Sequence, residues 1–127
     1  MARITSAVLF TGPDGRARFR DEGVVLDQGT PQSMLSRLFA SDGFQLRESP
    51  VGFRSAMHCT TTPQFVFILS GEMEIGLADG TSRVFRAGEH FYSADLLPEG
   101  ATFDARVHGH WSSQSGDEPL VTLFVRG

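Results

Sequence analysis

Residues 65–80 read FVFILSGEMEIGLADG, and this stretch decides the fold. Phe65–Leu69 is a β-branched and aromatic run, too short for a globular helix and closed by Ser70-Gly71-Glu72. Beyond that turn Met73, Ile75 and Leu77 alternate with Glu74 and Gly76, the period of a strand with one buried face, before Ala78-Asp79-Gly80 turns the chain again. The same rhythm extends outward on both sides. Thr81–Arg86 and His90–Ala94 follow it, as do Trp111–Gln114 and Leu120–Arg126 around the turn Ser115-Gly116-Asp117-Glu118-Pro119. Towards the N-terminus, Ile4–Phe10 ends at Gly12-Pro13-Asp14-Gly15, and Val24–Leu26 precedes Gly29-Thr30-Pro31. In Met34–Ala40, Thr30-Pro31 could cap a helix, but a strand is favoured. The turn Ser41-Asp42-Gly43 and the alternation of Phe44/Leu46 against Gln45/Arg47 support it. Turns recur roughly every 8–10 residues, which predicts an all-β domain of antiparallel strands in a double-sheet jelly roll. Leu96–Gly109, carrying Pro98-Glu99-Gly100, interrupts the pattern and reads as a lid or a binding loop.

The chain has 127 residues, enough for one domain with its own core, and a net charge of −4. All 11 basic residues are Arg, with no Lys and no Asn, so Schiff-base chemistry and a P-loop lysine are excluded. Acidic balance and scattered arginines speak against nucleic-acid binding. Phe65–Leu69 is far too short for a membrane span, and MARITSAVLFTG lacks a signal peptide's long apolar core. Cys59 alone fits a reducing cytoplasm and reads as a small filler rather than a nucleophile. The imidazoles are limited to His58, His90, His108 and His110.

Two segments carry a resemblance. Gly52, five residues, His58-Cys59-Thr60, three residues, Gln64, six residues and Gly71 resemble the first motif of the cupin superfamily in every spacing. Thr60 stands where that motif has its second His, and Gln64 where it has Glu. His110, three residues and Gln114, followed by a hairpin and the strand Leu120–Arg126, are similar to the tail of the second motif, with Gln for Asn. Pro98-Glu99-Gly100 matches that motif's Pro-x-Gly if extra residues lie between Gly100 and Gly109. The resemblance implies a cupin-type double-stranded jelly-roll β-barrel, with N-terminal strands in residues 1–50 and the conserved barrel part in residues 51–127. It also implies a homodimer that pairs or exchanges N-terminal strands, with Ile4–Phe10 as the candidate.

The metal ligands at the matching positions would be His58, Gln64 and His110, with His108 of His108-Gly109-His110 as a possible fourth and Asp104 as a source of charge. Imidazole and oxygen donors suit Fe, Mn, Ni, Cu or Zn, although this set is short of one imidazole and one negative charge. Arg54, Thr60, Phe67 and Phe103 are the candidate substrate-binding residues, Arg54 as a carboxylate holder in register with His58. His90 fits neither motif and reads as an ordinary strand histidine. Two functions stand at this point. One is a metal-dependent enzyme of oxygenase, isomerase, lyase or cyclase type; the other is a metal-free binding or sensing barrel.

Overall fold

The computed structural model describes residues 2–127, and no helix occurs among them. The strands are β1 (Ala2–Thr11), β2 (Ala17–Leu26), β3 (Gln28–Thr30), β4 (Ser33–Leu35), β5 (Phe44–Ser49) and β6 (Gln64–Ser70). They continue as β7 (Glu72–Leu77), β8 (Ser82–Arg86), β9 (His90–Ala94), β10 (His110–Ser115) and β11 (Leu120–Arg126). No helix long and apolar enough to cross a membrane is present among the described residues.

Two sheets face each other, as expected of a jelly roll. The larger runs β2-β1-β9-β6-β11-β5 and the smaller β10-β7-β8, with β3 and β4 as a separate hairpin. Met73, Ile75 and Leu77 turn inward, as the alternation in β7 predicts, and meet Leu9, Val66, Ile68 and Phe91 of the large sheet. Each such side chain, fully buried, contributes about 1.5–3 kcal/mol of transfer free energy. Gly76 is buried in the same strand because Trp111 lies across it, and a Cβ there would fall 1.8 Å from the indole.

Several expectations are corrected. Met34–Ala40 is not one strand: only Ser33–Leu35 pairs, with β3, and residues 36–43 have no regular structure. Not all neighbours are antiparallel, since β1 lies parallel to β9 through Ala7↔Phe91 to Phe10↔Ala94. Strand β1 is hydrogen-bonded to β2 along its whole length and to β9 only over Ala7–Phe10, so Ala2–Ser6 pairs on one side alone. The free edges of the large sheet are β2 and β5. Finally, β5 is inverted relative to ordinary amphipathic logic. Phe44 and Leu46 point outward, 69% and 65% exposed, while Gln45 and Arg47 line the barrel interior.

Candidate functional site

The segment before β6 is not a regular strand. It joins the edge of the small sheet through two isolated bridges, Arg54↔Ser113 and His58↔His110. Reciprocal backbone bonds of 2.9 Å link His58 and His110, and Ser55 N–H donates to the Ser112 carbonyl. Gly109 permits this approach: its φ is +85°, and a Cβ on it would lie 2.6 Å from the His58 carbonyl oxygen. The two imidazoles come together as a result, with centroids 4.7 Å apart and planes inclined by 58°.

Each ring is held through Nδ1. His110 Nδ1 lies 2.8 Å from Asp95 Oδ2, and His58 Nδ1 lies 2.9 Å from the Ala56 carbonyl oxygen. An acceptor at Nδ1 keeps the proton there and leaves Nε2 as the free lone pair. His110 and Asp95 are 4% and 0% exposed, and the second carboxylate oxygen of Asp95 is met by the Thr11 hydroxyl at 2.8 Å. Thr60 N–H donates to the Asp95 carbonyl, and the Thr60 and Ser93 hydroxyls lie 2.8 Å apart. A buried carboxylate held this way orients the imidazole while keeping its own lone pairs satisfied.

The rings open on a cavity of about 280 Å³ between the two sheets. Its apolar lining is Val66, Met73, Ile75, Phe91 and Phe124, and the rest of its wall is largely polar, including Thr60, Gln64 and Ser93. Gln64 faces inward because β6 alternates Gln64, Val66 and Ile68 towards the core, and in register it sits between Ser93 of β9 and Arg126 of β11. Arg47 and Arg126 line the same cavity. The barrel is a double-sheet jelly roll.

No family model matches the chain, and no curated protein matches it in sequence. Among solved structures it is similar to the protein NMB1881 from Neisseria meningitidis, at 18% identity and a TM-score of 0.45. That match covers 70% of this chain and 79% of the other. It is also similar to the cupin domain of Cnp3 from Schizosaccharomyces pombe, at 15% identity and a TM-score of 0.47. Here 98% of this chain and 83% of that chain are covered. These are likenesses of fold.

The structure thus brings together His58, Thr60, Gln64 and His110 of the candidate residues. It places the other four elsewhere. Arg54 points away from the cavity, its guanidinium 4.2 Å from the Trp111 ring, because the irregular backbone of residues 53–58 breaks the alternation that would have aligned it with His58. Phe67 lies on the opposite face of β6, its ring stacked on His90 at 5.1 Å. Phe103 is 41% exposed on the long loop. His108 is turned towards Gly15 of the β1–β2 turn, and its Nδ1 accepts the Asp104 N–H at 3.0 Å. Asp104 itself is committed to Arg106, whose guanidinium holds the carboxyl below its usual range. The loop Leu96–Gly109 contributes no residue to the cavity wall before His110, so it is not a lid over this pocket. His90, half-buried beside the Phe67 ring with Ser6 Oγ 3.0 Å from Nε2, has its basicity lowered by burial.

The residues do not fit a resident divalent metal. Among the described residues no three His, Cys, Asp or Glu side chains converge as a ligand group. Asp95 is engaged by His110 and Thr11, and burial, with the Asp95 charge second, pushes the Cys59 thiol up and keeps it protonated. What remains is two imidazoles and the Gln64 amide, a neutral set sharing its cavity with two guanidiniums.

Sequence reasoning missed Asp95, Arg47 and Arg126. Asp95 had one local signal, a single acid enclosed by Ala94 and Leu96-Leu97 at the end of an apolar strand. For Arg47 the alternation was visible, but not which side faced the barrel.

Proposed function

We propose that the barrel binds a small molecule against the His58–His110 pair and that His110 exchanges a proton with it through Nε2, without a resident metal. The observation that carries this reading is the buried 2.8 Å contact between His110 Nδ1 and Asp95, which aims the other ring nitrogen at the cavity. A carboxylate in that position selects the tautomer and stabilises the imidazolium that forms when Nε2 takes a proton. The adjacent His58 ring, with its own Nε2 free, offers a second acceptor at the same end of the cavity. The chemistry open to such a pair is proton transfer on the bound molecule, and the apolar lining accommodates its hydrocarbon part. We also propose a homodimer. The support for it is the apolar outer face of the large sheet, where Phe44, Leu46 and Leu69 stand exposed.

The test is the ring nitrogen spectrum of the full chain, together with its metal content. His110 is expected to be protonated at Nδ1 and bare at Nε2, and Asp95→Asn is expected to redistribute the proton between the two nitrogens. Dialysis against Zn(II) or Mn(II) is expected to leave less than about a tenth of an equivalent bound. A proton fixed on Nε2 of His110, or a stoichiometric ion lost in His110→Ala, would overturn the reading.

A further inference from the structure

The charges around the cavity are one-sided. Its wall contains Arg47 and Arg126 but no Asp or Glu, in a chain whose net charge is −4. The acid nearest the site, Asp95, lies behind His110 with both oxygens engaged. Elsewhere some of the arginines find partners, whereas among the described residues Arg3, Arg16, Arg37 and Arg54 have no carboxylate within 4.0 Å. Arg18 pairs with Asp14, Arg20 with Glu22, Arg83 with Asp21, Arg86 with Glu72 and Arg106 with Asp104. Among the described residues, neither Arg47 nor Arg126 has a carboxylate within 4.0 Å.

Both are placed by register. Arg126 sits directly across from Gln64, itself across from Ser93, so one row over three strands ends in a guanidinium. Arg47 sits across from the buried Thr122 and rests on the Phe53 ring, 4.8 Å from its centroid. Stacking on an aromatic face fixes the guanidinium without using its hydrogen-bond donors. Four residues of β11 separate the two positions, roughly 13 Å along the strand. The arginines therefore approach the cavity from different points along β11 rather than as one clamp.

We propose that the ligand of this pocket is a small organic carboxylate with an apolar body, its carboxylate held by Arg126 beside Gln64 and its charge balanced further by Arg47. The proposal rests on the reading of the cavity as the ligand site and adds the class of molecule it takes. A guanidinium fork matches a carboxylate with two parallel hydrogen bonds, and both guanidiniums stand at the exposed rim of the cavity. Placing the anionic end at Arg126 leaves the body over Val66, Phe91 and Ile75, towards the two imidazoles.

The experiment titrates the full chain with benzoate, with its uncharged isostere benzamide and with inorganic phosphate, at low salt, following ring and side-chain resonances of His58, His110 and Gln64. Benzoate is expected to bind at least about tenfold more tightly than benzamide. Arg126→Gln and Arg47→Gln are each expected to weaken benzoate while leaving benzamide unchanged. Arg54→Gln, an exposed arginine outside the cavity, is expected to change neither. Equal binding of benzoate and benzamide, or benzoate affinity unaltered in Arg126→Gln, would sink the carboxylate assignment alone. Phosphate binding as tightly as benzoate would replace the carboxylate with an inorganic oxyanion and overturn it too. If no compound moves the His58 and His110 resonances, the cavity is not the ligand site, and the underlying reading falls with the proposal.

Discussion

Gly109 is the residue on which the geometry of the histidine pair turns. Its φ is +85°, and a Cβ at this position would stand 2.6 Å from the His58 carbonyl oxygen, so there is room only for hydrogen. Gly109→Ala is expected to cost about 1–3 kcal/mol, since an L residue is strained at that φ and the His58 backbone must also retreat. Thermal unfolding is the measurement, with a loss of about 5 °C or more expected and an unchanged midpoint counting against the arrangement. At this scale His58 and His110 were legible through the resemblance alone, because each falls on the spacing of a separate cupin motif. The sequence was uninformative about Asp95, whose contact with His110 spans 15 residues and depends on how β9 packs against the smaller sheet. It misled about Arg54, because extrapolating alternation back from His58 requires a regular strand, and residues 53–58 touch β10 only through isolated bridges.

The hairpin between β10 and β11 shows how an element is held by one side chain. Gln114 is 7% exposed; its Oε1 accepts the Gly52 N–H at 2.8 Å. Its amide nitrogen faces the carbonyls of Ser115, Gly116 and Glu118 at 3.0, 2.8 and 2.7 Å. It ties the start of the His58 segment to the turn that launches β11, a supporting rather than a ligating role. Gln114→Ala is expected to destabilise the fold by about 1–3 kcal/mol in urea unfolding, because it leaves buried backbone groups without partners. Gln114→Glu, which keeps the acceptor but sets a negative charge against three carbonyls, is expected to be worse than Ala, and the reverse order would contradict this account. Strand existence was legible element by element wherever apolar alternation met a Gly turn, as in β6 and β7. Met34–Ala40 failed because its apolar residues have no inner face to occupy: Met34, Leu35 and Leu38 are 50%, 54% and 93% exposed.

At the scale of the whole molecule, the outer face of the large sheet carries an apolar patch at its β5, β11 and β6 end. Leu46 is paired with Leu123 and Phe44 with Val125, while the same two β11 residues meet Phe67 and Phe65 of β6 on the other side. A second copy laid on this face would cover it, and a stable dimer needs about 800 Å² from each partner. Light scattering is expected to give twice 13.9 kDa for the wild-type chain. The double variant Phe44→Glu, Leu46→Glu is expected to give about 13.9 kDa with its fold retained. A monomeric wild type would remove the dimer while leaving the cavity assignments untouched.

The amino-acid sequence decided the all-β class and the turn positions, because strand period and turn chemistry are set by neighbours along the chain, while the two histidines that meet were marked out by the spacing of their motifs. The tertiary structure decided the rest: which face of β5 is inward, which arginines reach the cavity and which acid holds His110. Those outcomes depend on strand register and sheet order, where β5, β6, β9 and β11 join residues as distant as Gln45 and Phe124 in one wall. A period of two allows either face to be buried, and only long-range pairing selects between them.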